Sequence, residues 1–337
     1  MVTSKENLIE EVNSKLPPQI KVYGYFKTTK GFNCKHACDN RTYDYICPTY
    51  AFAPIDNIVT DEYRMTDDVL NRINEVLRKF VGTHKFHNYT SQIQSTDNSA
   101  RRYIISFTCG KPFMRDGCEF CVLTVKGQSF MLNQIRKMVG MTIAIVRGNC
   151  GVEVIDKTWE AGRVDVPKAP ALGLCLDRPH YDSYNRRYGD DGIHDCLDWS
   201  KFQTEIEKFK EEYIYSDIMQ TEKEQKVMME WLGDLQYHEF DVVDDQEKRR
   251  PRFGIRDTLK NCKNNPDIVI SPESKMKQVG DNLKGIENVE CKEDNSMDCK
   301  GDNKEDCSKS EPNVITESVP GNDMQTHPEK ETVSGQS

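Results

Sequence analysis

The chain has 337 residues, 36% hydrophobic and 30% charged, with a formal net charge of −9; that length suits one large or two ordinary domains. From Asp281 onward there are 6 basic and 14 acidic side chains, leaving 40 against 41 in the first 280 residues, so bulk charge neither excludes nor favours an RNA partner. No run of about 18 apolar residues is present for a membrane helix, no glycine-rich nucleotide loop occurs, and MVTSKENLIEEVNSKL lacks the look of a secretory or transit signal.

In chain order, residues 5–15 pattern as a short amphipathic helix with Leu8, Ile9 and Val12 on one face, ended by Pro17 and Pro18. IKVYGYFKT (20–28) alternates as a strand does, GFNCKHACDN is a polar loop, and RTYDYICPTYAF (41–52) is an aromatic strand. Thr66 and its two aspartates predict the cap of a helix carrying Val69, Ile73, Val76, Leu77 and Phe80. GTHKFHNYTSQ reads as a loop, 101–109 and 119–127 as strands, about 130–147 as a long helix, and VEVIDKTWEAG as a shorter one. Two further helices are expected near 198–212 and 222–235. Beyond about 250 the polar repeats cannot bury enough surface to offset chain entropy, which predicts a disordered acidic tail.

The 13 cysteines are scattered and, with no secretory signal, read as reduced thiols of a cytosolic or nuclear protein. Cys34 with Cys38, and Cys118 with Cys121, have spacings a zinc site would use. The second pair opens the apolar run CVLTV, so buried or edge thiols are the better reading. His84 and His87, three apart in a loop, could bind metal, transfer protons or contact RNA. The basic run Lys248–Arg252 suits a localisation or phosphate-contacting patch and equally a solvated domain end.

The densest signal is GQSFMLNQIRKMVG (127–140), at a strand-to-helix junction. Arg136 sits at the edge of the helix's apolar face, where a guanidinium wants an anionic partner or snorkels to water. The segment closely resembles a motif of the TruA-type tRNA pseudouridine synthases. GFNCKHACDNRTYDYICPTYAF, FVGTHKFHNYT and VDVPKAPALGLCLDRPHY are similar to further family motifs in the same order, and RRYGDDGIH, FKEEYIY and the Trp231–Leu232 helix resemble the extension of its nuclear and mitochondrial branch. The resemblance covers about residues 6–240.

The resemblance implies an α+β class and the TruA-like fold: a mixed, mostly antiparallel sheet flanked by helices, with a helical extension and a disordered tail. It divides the chain into 1–60, the remainder of the N-terminal half; 61–196, the C-terminal half; 197–250, the extension; and 251–337, the tail. It implies isomerisation of uridine to pseudouridine in tRNA, with mRNA or other RNA as further candidate partners, no cofactor, no metal and no membrane, in the nucleus, the mitochondrion or the cytoplasm. Tyr43 matches the tyrosine that stacks on the target base, and Arg136 the partner of a nucleophilic aspartate. Arg41, Phe32, Lys35, His84, Phe86, Gln134, Leu172, Gly173 and Leu174 match substrate-binding segments. Asn133 stands where the family commonly has His. The family's Arg-Thr-Asp loop has no counterpart here: Arg41–Asp44, Arg64–Asp67 and Arg163–Asp165 each belong to other segments. Without that carboxylate the expectation is an isolated chain that is inactive. The alternatives are a non-catalytic RNA-binding protein that kept the cleft and, more weakly, a zinc-dependent protein.

Overall fold

A computed structural model describes residues 5–57 and 59–243. The expected acidic tail and the Lys248–Arg252 run lie outside the described residues. The elements are α1 (Lys5–Asn13), β1 (Asn40–Pro48), α2 (Asp67–Arg78), β2 (Gly82–Lys85), β3 (Arg101–Cys109), β4 (Phe113–Arg115), β5 (Cys118–Gly127), α3 (Gln134–Arg147), α4 (Val154–Lys157), β6 (Arg163–Val164), β7 (Leu174–His180), α5 (Asp182–Tyr188), α6 (Gln203–Phe209), a π-helical turn (Lys210–Tyr215), α7 (Ser216–Gln225), α8 (Val227–Leu235) and β8 (Val242–Val243).

The main sheet has six strands in the order β2-β3-β5-β1-β7, with β4 also paired to β5, and every pairing is antiparallel. The aromatic run at 41–52 becomes the interior strand β1, whose later residues are all buried because both faces are covered. On the face carrying Tyr43, Tyr45 and Cys47, the rows of β1 and β5 match Tyr43 to Val125, Tyr45 to Leu123 and Cys47 to Cys121. The opposite face carries Thr42, Asp44 and Ile46.

Helix α2 forms where its cap and stripe lead: Thr66 accepts a bond from Val69 N, Asp67 and Asp68 occupy the first turn, and Ile73, Val76 and Leu77 are buried. Helix α3 begins at Gln134, four residues later than the expected start, because Asn133 takes a left-handed conformation (φ 63°) that cannot continue a helix. Its far end is closed by Gly148 (φ 91°), whose N–H reaches the Ala144 and Ile145 carbonyls.

Three sequence expectations are corrected. Residues 20–28 form no strand. Asn13 bonds Val22 through both its amide N and O at 2.8 Å, Lys27 and Asp195 exchange bonds, and Thr29 N donates to the Tyr184 hydroxyl. The segment's backbone is thus held by side chains and loops. Its aromatics pack on the segment 199–202, Tyr23 against Phe202 and Phe26 against Trp199. The segment read as the GTHKFHNYTSQ loop opens with β2, paired to β3 from Gly82–Ile104 to Lys85–Arg101. The expected helix at 198–212 and the start of its successor form α6, the π-helical turn and α7 in unbroken succession, and the break falls at Lys226 (φ 51°). The strand β7 was not anticipated, since LCLDRPH is interrupted by two charges and a proline.

Candidate active site around one face of β1

Tyr43 is half-buried on the face of β1 turned toward α3, and its ring meets Phe130 edge-on with centroids 5.3 Å apart. Phe130 belongs to the turn that leads into α3. In the first turn of that helix Arg136 clamps the loop between β6 and β7 in both directions: its Nε donates to the Ala169 carbonyl at 2.7 Å, and its own carbonyl accepts from Ala169 N at 3.1 Å. One Nη reaches Asn133 Oδ1 at 3.3 Å. None of the ion pairs among the described residues involves Arg136, and Nη2 has no protein partner there.

The next residue of the loop is held from β1: Tyr45 donates its hydroxyl to the Pro170 carbonyl at 2.9 Å. Burial keeps that phenol protonated, well above its ordinary pKa. Ile46 N then bonds the Gly173 carbonyl at 2.9 Å. Two motif glycines are explained by close approach. A Cβ on Gly173 would lie 2.1 Å from the Ile46 carbonyl oxygen, and one on Gly140 would lie 2.4 Å from that of Pro167. Tyr43, Phe130, Arg136 and the 169–174 loop are thereby gathered around one face of β1.

The other residues singled out in the sequence are distributed as follows. Arg41 lies on the Tyr43 face and donates to the Gln128 and Lys35 carbonyls at 3.4 Å; Lys35 itself is exposed. Leu172 and Leu174 are half-buried against the core, flanking buried Gly173. Phe32 sits in a separate cluster with Tyr181 and Tyr184, its ring 4.9 Å from that of Tyr184. His84 stacks on Trp159 with centroids 4.6 Å apart, while Phe86 is fully buried beneath them. Gln134 is also fully buried, with its oxygen accepting Met131 N at 2.9 Å, so it shapes the turn before α3 from inside. His87 is buried, and burial lowers its pKa. Lys137, next to Arg136, donates to the Asn88 carbonyl, and burial pushes its ammonium down to about 8.

All nine described cysteines are free thiols, and Cys47 and Cys121 face each other across β1 and β5 at 3.9 Å. Among the described residues no group of three His, Cys, Asp or Glu side chains is arranged to hold a metal.

Tyr45, Phe130 and a buried cluster behind β1 escaped the sequence reading. In that cluster Asp44, 5% exposed, accepts from Thr124, Lys210 and Tyr215, each at 2.8 Å, and Lys210 also donates to Asp177 at 2.6 Å. The one signal was an aspartate set in an aromatic strand, since a buried carboxylate requires partners.

Aromatic residues and the Arg136 guanidinium beside a tight loop suit a planar, charged ligand. Residues 76–182 match the family profile described as tRNA pseudouridine synthase. The chain is similar to the pseudouridylate synthase 1 homologs of Mus musculus and Homo sapiens, at 48% identity over 70% and 71% of its length and 56% of theirs. It is also similar to the tRNA pseudouridine synthase 1 of Yarrowia lipolytica, at 32% identity over 67% of this chain and 58% of that protein. The chain thus spans somewhat over half the length of these curated relatives. It belongs to the TruA-type family of tRNA pseudouridine synthases.

Proposed function

We propose that this chain forms the base-holding wall of a tRNA pseudouridine synthase. A target uridine leaves the RNA stack and lies against Tyr43, with the 169–174 loop as its floor and Arg136 beside the sugar. In the reaction the bond between N1 and C1′ breaks with an aspartate as the nucleophile. The base turns, C5 displaces the carboxylate from C1′, and the proton lost from C5 is balanced by one gained at N1, so the isomerisation is atom-neutral and needs no electron donor. A flipped base needs an aromatic face to replace its lost stacking. A nucleophilic carboxylate in a closed site is kept ionised by a neighbouring guanidinium.

The observation that carries this reading is the two-way clamp between Arg136 and Ala169, which fixes the guanidinium while leaving Nη2 without a partner among the described residues. A free Nη2 is what a carboxylate supplied by another segment would engage. The proposal extends to a finer reading: residues 1–337 alone bind tRNA weakly and form no pseudouridine. Binding draws on phosphate contacts spread over a wide surface, whereas covalent catalysis depends on one carboxylate at one place. A non-catalytic RNA-binding protein is the second reading, favoured by the same unpaired guanidinium. The family resemblance suggests a nuclear or mitochondrial setting.

The test is tritium release from tRNA bearing 5-tritiated uridine, with 1–337 compared to a form extended upstream to carry an Arg-Thr-Asp segment. Release by the extended form alone supports the proposal. Comparable release by 1–337 would mean that another group in this chain is the nucleophile, and release by neither would favour the non-catalytic reading.

A further inference from the structure

Strand β1 carries Tyr43 on one face and Asp44 on the other, so whatever holds Asp44 also holds the backbone that aims Tyr43. Asp44 is held from three sides. Its Oδ1 accepts from Thr124 of β5, and its Oδ2 accepts from Lys210 and Tyr215 of the helical extension. Lys210 spans onward to Asp177 of β7. The partners of β1 step from Arg178, opposite Thr42, to Leu176, opposite Tyr43, so Asp177 is the extra residue of a bulge that falls at Tyr43. Leu174, at the start of the same strand, closes the loop proposed as the floor of the base site.

The local helix geometry fits this task. Lys210 and Tyr215 are five residues apart, and on an α-helix they would point about 140° away from each other. Residues 210–215 are instead wound as a π-helical turn. Its i to i+5 pattern brings the two side chains to one side, where both reach the same oxygen of Asp44. The ammonium, the two aspartates and the phenol are largely withdrawn from water, with side-chain exposures of 13% for Lys210, 7% for Asp44 and 15% for Asp177. Burial alone would lower the pKa of Lys210, yet its bonds to Asp177 and Asp44 outweigh that and hold it well above the ordinary value.

We propose that Lys210 is a positioning residue for the base site: by bridging Asp44 on β1 to Asp177 at the β7 bulge, it locks the two strands at Tyr43 and so sets the pose of the tyrosine on the opposite face. The helical extension therefore acts on the site through the sheet, without touching the substrate. The π-helical turn is the device that brings both of its donors to Asp44. The consequence for catalysis rests on the stacking role given to Tyr43 above, while the mechanical coupling does not.

The experiment uses the full 337-residue chain with 3-fluorotyrosine at Tyr43, read by fluorine NMR. Wild type gives one narrow resonance. Lys210→Met removes the charge and keeps the stem, and its resonance shifts and broadens by about two-fold or more as the ring samples several poses. Lys210→Arg, which can still bridge two carboxylates, restores the narrow line. Lys208→Met, at an exposed position in the last turn of α6, leaves the line unchanged. Circular dichroism confirms that each variant is folded. A folded Lys210→Met with the wild-type shift and width overturns the proposal. If that variant does not fold, Asp177→Asn weakens the far end of the bridge, and an unchanged line there overturns it equally. Adding tRNA separates the two claims. A wild-type line that does not respond to RNA sinks the stacking role, and the RNA-free widths still decide the positioning role.

Discussion

At the scale of single residues, the site is a set of close approaches. Gly173 passes so near the Ile46 carbonyl that a methyl group must displace backbone. Gly173→Ala is expected to lower stability by about 2–3 kcal/mol, read as a lower urea midpoint at constant slope. If Tyr43 is the proposed stacking face, Tyr43→Ala weakens binding of a uridine-containing RNA by about 1–3 kcal/mol, whereas Tyr43→Phe retains the ring and most of the affinity; fluorescence anisotropy compares the two. Lys137 offers a pH test. Its folded pKa, about 8, lies below the ordinary value of 10.5. Its contribution to stability is therefore complete above the ordinary value and is lost as pH falls toward 8. Melting temperatures of wild type minus Lys137→Met should rise between those two pH values, and a flat difference would show that the amine is not desolvated. Tyr43, Arg136 and the 172–174 segment were legible in the sequence only through the motif resemblance. Composition and periodicity mark Tyr43 as an ordinary strand aromatic, and the clamp on Ala169 depends on a contact across 33 residues.

At the scale of elements, legibility followed locality. The cap and stripe of α2 are written within a dozen residues, and the helix appeared where they place it. Segment 20–28 has the alternation of a strand, but alternation records only which side chains are buried. Its partners turned out to be Phe202, Trp199 and Asp195, about 170 residues away. Strand β7 failed the pattern for the reverse reason: its two charged residues are taken up by distant partners, Asp177 by Lys210 and Arg178 by Gln203. The joint between α7 and α8 has a similar partner. Buried Glu222 accepts the Tyr50 hydroxyl at 2.6 Å and Met228 N at 3.0 Å, tying the helical pair to the turn that follows β1. Burial raises the pKa of Glu222 above the ordinary 4.5. The stability linked to its protonation is then complete below 4.5 and lost as pH rises through the raised value. Glu222→Gln, which keeps the acceptor without the charge, should match or exceed wild type at pH 8. Wild type should gain on it as pH falls toward 4.5. A stability difference that does not change with pH would contradict the assignment.

At the scale of the whole molecule, one antiparallel sheet separates two kinds of chemistry. On the α3 face stand Tyr43, Phe130, Arg136 and the 169–174 loop; behind it, the helical extension anchors the same strand through Asp44. The central claim is that Arg136 and Tyr43 act on one uridine in a pseudouridine synthase. The most direct test is tritium release from 5-tritiated uridine tRNA by the upstream-extended form, comparing wild type with Arg136→Ala and Tyr43→Ala. The account predicts that wild type releases tritium and that each variant, folded, loses on the order of 10²-fold or more in rate. Release by Arg136→Ala at the wild-type rate would contradict it.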